Sequence, residues 1–132
     1  MISLEKTLVS GLALIALSFA TLTTPAHADT STVFHTVIFW LKLDTPASKV
    51  DEIIANAKGF ENMPMVDKVF IGTPIMSDRK VVDDSFSIAF TMTFKDEAAL
   101  AAYNADPEHK RLSAQVTLPH VAKGVIYDYK SQ

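Results

Sequence analysis

The stretch VFHTVIFWLKL, residues 33–43, decides the fold. Its β-branched and aromatic residues predict a strand, in which successive side chains point to opposite faces. One face carries Val33, His35, Val37, Phe39 and Leu41, and the other carries Phe34, Ile38 and Trp40. Because both faces are apolar, both have to be covered by other parts of the protein or by a partner.

The segments that follow predict helices and further strands in alternation. After the first strand come a helix over 44–60, a strand over 66–75, a strand over 85–94, a helix over 95–105 and a last strand over 124–129. Thr45 is the predicted N-cap of the first helix, with Pro46 as its first residue. The order βαββαβ indicates a ferredoxin-like α+β fold, whose helices cover one face of an antiparallel sheet.

The opposite sheet face needs a partner, because the first strand is apolar on that side too. A second copy of the chain is the simplest partner, which predicts a homodimer with facing sheets, a dimeric α/β barrel. Trp40 is the predicted anchor of this interface, since it lies on the face opposite His35.

Residues 1–28 have the composition of an export signal. Lys6 precedes the apolar run LVSGLALIALSFATL (8–22), and Ala26 and Ala28 occupy the positions that signal peptidase requires to be small. The run is too short and too interrupted for a stable membrane anchor. We therefore expect cleavage near Ala28, a periplasmic or secreted protein, and one mature domain over residues 29–132.

Composition narrows the classes of partner and cofactor. The formal net charge is −3 and no basic cluster is present, which argues against nucleic acid as a partner. The chain has no cysteine, so we expect no disulfide. His35, His109, His120 and Asp128 lack the close spacing of metal-ligand motifs, so the sequence predicts no metal site and no cofactor.

The segment YNADPEHKRL, residues 103–112, predicts a break between two helices. A residue that precedes proline avoids the helical region, so Asp106 can end one helix and cap the next, with Pro107 at its first position. His109 then lies in the first turn, where the helix dipole favours a neutral imidazole. Tyr103 ends the preceding helix, so the phenol and the imidazole can converge on one cavity.

Several segments together resemble the stress-responsive A/B barrel (Dabb) family. They are FHTVIFWLK, VDKVFIGTPIMS, DSFSIAFTMTFKDEAALAAY, DPEHKRL and the terminal IYDY, which span almost all of residues 29–132. The resemblance implies a dimeric α/β barrel with a pocket between the sheet and the helices. It also implies similarity to a plant polyketide cyclase of the family, which performs an intramolecular aldol step without a cofactor.

The resemblance assigns roles to four residues by their positions in these motifs. His109 corresponds to the catalytic base and Tyr103 to the hydrogen-bond donor for the enolate or ketone oxygen. His35 corresponds to the pocket histidine on the first strand, and Asp128 to the carboxylate that orients the histidine base. The predicted ligand-binding residues are Val37, Phe39, Phe90, Met92 and Leu112.

The function that follows is binding of a small, apolar, oxygenated molecule, in a stress context or with cofactor-free cyclase or lyase activity. Two other classes remain open at this stage. One is a haem- or quinol-type monooxygenase of the wider dimeric α/β barrel group. The other is a non-catalytic structural dimer, in which His109 stabilises a helix start, Tyr103 fills the core and His35 is a hydrogen-bonded sheet histidine.

Overall fold

The computed structural model describes residues 31–132, and the predicted signal peptide, residues 1–28, lies outside the described residues. The four strands are β1 (Val33–Leu41), β2 (Lys68–Gly72), β3 (Ile88–Phe94) and β4 (Val121–Lys130). They form one antiparallel sheet in the order β2-β3-β1-β4. This arrangement confirms the predicted ferredoxin-like fold.

Two long connections carry the helices. After β1 come α1 (Ala47–Gly59) and a 3₁₀ turn (Phe60–Asn62), and after β3 come α2 (Glu97–Ala105) and α3 (Pro107–Leu112). A π-helical segment (Ser113–Thr117) and a 3₁₀ turn (Leu118–His120) then lead into β4. Within residues 31–132, none of the helices has the length and apolarity needed to cross a membrane.

Of the two predicted helix caps, Asp106 is confirmed and Thr45 is wrong. The Asp96 carboxylate accepts a hydrogen bond from the Ala99 N–H at 2.8 Å and caps α2, and Asp106 caps α3 in the same way. Thr45 is not the cap of α1, because Pro46 occupies the cap position in an extended conformation and the helix begins at Ala47. Proline favours this extended geometry as readily as the first helical turn, which is why the prediction was wrong.

All four strands differ in length from their predictions. β1 ends at Leu41 rather than at 43, and β3 begins at Ile88 rather than at 85. The strand predicted over 66–75 is paired only over β2, which ends at Gly72, and Pro74 beyond it has no N–H to donate to the sheet. The last strand begins at Val121 rather than at 124, since it pairs with β1 along almost its full length.

The core between sheet and helices consists of two clusters. The first core cluster comprises Val33, Phe60, Val66, Met92, Phe94, Ala99, Leu100 and Tyr103. The second core cluster comprises Val37, Ile53, Ala57, Ile88 and Phe90. Both draw on the inward faces of β1 and β3, so the two central strands connect the clusters.

The other side of the sheet is an apolar surface. This open sheet face carries Phe34, Ile38, Trp40, Phe70, Tyr127 and Tyr129, as the strand register places them. Phe70 and Tyr127 are 55% and 57% exposed, and Tyr129 stacks on Phe34 with ring centroids 5.1 Å apart. Trp40 donates a hydrogen bond to Ser85 at 2.9 Å. Aromatic groups in this number on one exposed face are typical of an interface.

Candidate functional site

A cavity of about 200 Å³ lies between the sheet and the helices, where the two core clusters meet. Its apolar lining comprises Val37, Phe39, Ala57, Phe60, Phe90, Met92, Leu118 and Ile126. Its polar lining comprises His35, Tyr103, Asn104, His109, Ser113 and Thr117. Since an apolar cavity of about 150 Å³ can hold benzene, this one has room for a single ring with small substituents.

The joint between α2 and α3 positions the phenol and the imidazole. Asp106 Oδ1 accepts hydrogen bonds from the N–H groups of Glu108 at 2.8 Å and His109 at 2.9 Å. Pro107 then starts α3, as its fixed φ favours. This change of direction brings the rings of Tyr103 and His109 into a stack, with centroids 4.0 Å apart and planes 29° apart.

His109 is held as a neutral base. Burial lowers the pKa of His109 below its ordinary value of 6.5, and the nearby His35 imidazole lowers it further. The Tyr103 backbone and the Asp106 carboxylate act in the opposite direction but do not outweigh burial. Nδ1 of His109 is fully buried and has no hydrogen-bond partner within residues 31–132. Any proton exchange with a molecule in the cavity must therefore use the other ring nitrogen, Nε2.

Tyr103 is a protonated phenol in the wall of the cavity. It is only 2% exposed and packs edge-on against Phe60, with ring centroids 5.8 Å apart. Burial raises the pKa of Tyr103 well above its ordinary value, so the hydroxyl keeps its proton. That hydroxyl has no hydrogen-bond partner in the described part of the chain, yet it is not fully enclosed. It can therefore donate a hydrogen bond to a molecule in the cavity.

His35 completes the polar wall and depends on Asp128. Its Nδ1 donates a hydrogen bond to Asp128 Oδ1 at 2.6 Å, while the imidazole packs edge-on against Tyr103 with centroids 5.8 Å apart. The His35 side chain is 7% exposed and that of Asp128 is 49% exposed. When the ring is neutral, the proton that Nδ1 donates to the carboxylate leaves Nε2 of His35 as a hydrogen-bond acceptor, and in the cation Nε2 is a donor.

The structure brings three of the four predicted catalytic residues to one cavity. His35, Tyr103 and His109 all line it, whereas Asp128 lies behind His35 and outside the lining. The histidine to which the Asp128 carboxylate is hydrogen-bonded is His35 rather than His109. The strand register is the cause: Asp128 on β4 lies directly opposite His35 on β1.

Of the predicted ligand-binding residues, Val37, Phe39, Phe90 and Met92 line the cavity. Leu112 does not, because its side chain packs against the first core cluster. The sequence analysis missed most residues contributed from the ends of helices: Ala57, Phe60, Asn104, Ser113, Thr117 and Leu118. The sequence analysis also missed Ile126. This residue lies two positions before Asp128 on the last strand, so both residues are on the sheet face that carries His35.

Within residues 31–132, no group of three or more histidine, aspartate or glutamate side chains is arranged to hold a metal ion. The polar groups of the cavity are instead suited to proton transfer and hydrogen bonding. Two imidazoles and a protonated phenol line a mostly apolar space, and side chains of these types can transfer protons and donate hydrogen bonds.

Comparison with known proteins identifies the domain. Residues 33–131 match the family model of the Stress Responsive A/B Barrel Domain, Dabb. A search of curated protein sequences found no significant match.

Solved structures with this fold come from plants and bacteria. A hydroxynitrile lyase from Passiflora edulis is 22% identical with a TM-score of 0.70, and the match covers 78% of this chain and 95% of that one. A Dabb family protein from Mesorhizobium loti is 24% identical with a TM-score of 0.64, covering 77% and 98%. A dimeric ferredoxin-like protein from Thermobifida fusca is 16% identical with a TM-score of 0.63, covering 78% and 93%. At these identities the likeness shows the fold alone.

Proposed function

The chain belongs to the stress responsive A/B barrel (Dabb) family, and we propose that it acts on a small, apolar, oxygenated molecule without a cofactor. In this proposal His109 is the base and Tyr103 is the hydrogen-bond donor. The observation that carries it is the 4.0 Å stack of these two rings in the wall of one mostly apolar cavity. Since a fold supports many activities, the assignment rests on these groups rather than on family membership.

The protonation states suit cleavage or formation of a C–C bond next to an oxygen. For a cyanohydrin, Nε2 of His109 takes the hydroxyl proton while the bond to the nitrile carbon breaks and the oxygen becomes a carbonyl. The bonding pair leaves with cyanide, which then takes the proton from His109 to give HCN. Tyr103 donates a hydrogen bond to the oxygen as negative charge develops on it. The reverse sequence forms the bond, and an enolate can replace cyanide as the carbon nucleophile.

Two observations support a lyase or cyclase over the haem-type monooxygenase. The cavity volume suits one substituted ring better than a four-ring porphyrin. A hydroxynitrile lyase shares the fold across nearly its whole length. A stress-related role fits a protein that consumes or releases a reactive carbonyl compound.

The decisive assay uses mandelonitrile, a one-ring cyanohydrin, and follows the release of benzaldehyde by absorbance. We expect cleavage above the uncatalysed rate in the wild type, with a loss of about 10²- to 10⁴-fold in His109→Ala, the range of a general base. Tyr103→Phe should reduce kcat while the protein remains folded. His120→Ala is the matched control, because this histidine lies outside the cavity lining and should leave the rate unchanged.

A wild-type rate equal to the uncatalysed rate would contradict the proposed cleavage of cyanohydrins. Binding of benzaldehyde, measured by saturation-transfer NMR, then decides whether the cavity takes a ligand at all. Phe90→Trp places a larger side chain in the cavity wall. If benzaldehyde binds to the wild type and not to this variant, the cavity binds the ligand even though the protein does not cleave the cyanohydrin.

We also propose that the chain is a homodimer joined through the open sheet face. Its exposed aromatic side chains support this, as does the dimeric state given for the related Thermobifida fusca protein. Light scattering during size-exclusion chromatography measures the mass directly. A monomer at micromolar concentration contradicts the dimer.

Export completes the proposal. The composition of residues 1–28 supports cleavage near Ala28 and release into the periplasm or medium. N-terminal sequencing of the protein recovered after expression of the full chain is the test. Recovery of a chain that begins at Asp29 in the exported fraction agrees with it, and an uncleaved cytoplasmic chain contradicts it.

A further inference from the structure

One helical strip contributes three polar residues to the cavity. His109 lies on α3, and Ser113 and Thr117 lie at the first and last positions of the π-helical segment. The three are spaced by four residues, so they fall on one side of a continuous helical segment, and all three line the cavity. A π-helical turn inside a helix is frequently found at a functional site.

The Thr117 hydroxyl has no hydrogen-bond partner in the part of the chain that the structure describes. Thr117 is 6% exposed, and its hydroxyl forms no hydrogen bond within residues 31–132. The hydroxyl oxygen nevertheless keeps some accessible surface, because it is not one of the fully enclosed atoms without a partner. Because Thr117 is buried and lines the cavity, a molecule in the cavity is a candidate partner for this hydroxyl. The Ser113 hydroxyl likewise has no partner in the described chain.

A largely buried hydroxyl without a protein partner is unfavourable unless water or another molecule meets its hydrogen-bonding capacity. A threonine in a helix commonly reduces that cost by bonding to the carbonyl one turn earlier, and Thr117 does not do so. Valine would fill the same volume without the cost. The residue type is therefore explained if a molecule in the cavity supplies the missing hydrogen bond.

We infer that Thr117, assisted by Ser113, binds a second oxygen of the ligand, at a point along the strip away from His109. This inference rests on the proposed function and deepens it, because it specifies the substrate class. The rise of an α-helix puts Ser113 roughly 6 Å and Thr117 roughly 12 Å along the strip from His109. A ring that carries its two oxygens at opposite ends, with a hydrogen bond of about 2.8 Å at each end, spans the longer distance. The substrate class is a one-ring carbonyl compound or its adduct that carries a second hydroxyl on the ring.

The opposite wall supports the same ligand shape. Val37, Phe39, Phe90 and Met92 come from the central strands and offer no hydrogen bonds. A ring that carries oxygens along one edge can form hydrogen bonds to the polar side chains of the helical strip. Its faces then pack against the strands. An unsubstituted ring leaves the Thr117 hydroxyl without its partner, and a site built around a hydrogen bond disfavours such a ligand.

The test compares benzaldehyde with 3- and 4-hydroxybenzaldehyde by isothermal titration calorimetry on the full-length mature protein. We expect the tighter-binding of the two hydroxybenzaldehydes to bind about 3- to 10-fold more tightly than benzaldehyde, which is the range of one net hydrogen bond. Thr117→Val should abolish that preference, so that the three aldehydes bind this variant with affinities within about twofold of one another. Thr117→Ser keeps the hydroxyl and should keep the preference, and it also serves if the valine variant is unstable.

The outcomes separate this inference from the proposed function. A hydroxyl preference that disappears in Thr117→Val and survives in Thr117→Ser supports it. If benzaldehyde binds but the wild type shows no preference, or if Thr117→Val retains the preference, the inference is overturned and the cavity-binding proposal survives. If none of the three aldehydes binds, both the inference and the proposed ligand class are overturned.

Discussion

The Nδ1 atom of His35 lies 2.6 Å from Oδ1 of Asp128, and the two residues face each other across the β1–β4 pair. The imidazole is buried and the carboxylate is half exposed. Asp128 thus connects a buried cavity residue with solvent at the edge of the sheet. The bond holds Nδ1 of His35 against the edge strand, while the same ring lines the cavity beside Tyr103.

The first prediction concerns the stability supplied by this pair. Asp128→Ala leaves a buried imidazole N–H without its acceptor, and we expect the free energy of unfolding to fall by about 1–3 kcal/mol. Urea denaturation followed by circular dichroism at neutral pH measures it. Asp51→Ala is the matched control, because this exposed helical carboxylate has no buried partner. Equal stabilities for the two variants would contradict a structural role for Asp128.

The second prediction concerns pH. Because the pKa of His109 is lowered in the folded chain, the unfolded chain binds more protons than the folded chain as the pH falls below about 6.5. The stabilising contribution of the neutral ring is full above that pH and decreases as the pH falls toward the folded-state pKa. His109→Gln removes this contribution, so its stability should fall less than that of the wild type between about pH 7 and pH 5.

Proton NMR of the imidazole ring measures the same effect directly. The His109 resonance, assigned by its absence in His109→Gln, should titrate with a midpoint below 6.5. A midpoint above that value would show that the Tyr103 backbone and Asp106 outweigh burial, and His109 would then be a cation near neutral pH rather than a base.

The features that follow from local sequence were predictable. The alternation of residues 33–41 and 88–94 identified the central strands, and the Asp106–Pro107 pair identified the joint that stacks His109 on Tyr103. Each depends on residues within one or two turns or one strand. The partner of Asp128 was not predictable in this way, because it depends on the register of two strands whose paired residues are 93 positions apart.

The π-helical segment was also beyond sequence pattern. Its wider turn changes which side chains face the cavity, and no residue in SAQVT signals it as glycine or proline signals a turn. Thr117 and Ser113 therefore entered the site only with the structure, while Leu112 moved from the predicted lining to the core. Whether these side chains face the cavity or the core depends on how the helices pack, which the propensities of single residues do not describe.

The third prediction concerns the open sheet face. Phe70→Glu places a charge on an aromatic position that is 55% exposed, and we expect it to convert the dimer to a monomer without unfolding the domain. Leu43→Glu is the matched control, since Leu43 is fully exposed and lies beyond the end of β1. Light scattering should give the mass of a monomer for the first variant and of a dimer for the second. A dimer for both would place the interface elsewhere.

The last prediction concerns the size of the cavity. Gly124 faces Phe39 across the β1–β4 pair, and a Cβ atom at Gly124 would lie 2.9 Å from Cε1 of that ring. Phe39 lines the cavity and packs edge-on against Phe90, with centroids 5.7 Å apart. Gly124→Ala therefore forces the ring away from β4 and toward the cavity. We expect a loss of about 1–3 kcal/mol in the free energy of unfolding, as for overpacking, and weaker binding of benzaldehyde.

Two further variants isolate the Phe39 contact as the cause. At Gly72 a Cβ atom would meet no neighbour within 4 Å, so Gly72→Ala should change stability by no more than about 0.5 kcal/mol. Phe39→Leu removes the ring atoms that meet the new methyl group, so the double variant with Gly124→Ala should lose less stability than the two single changes predict in sum. Urea denaturation and benzaldehyde titration of the wild type, Gly124→Ala, Phe39→Leu and the double variant measure the coupling between these two positions. Strict additivity would show that Gly124 acts through the backbone and does not set the position of Phe39.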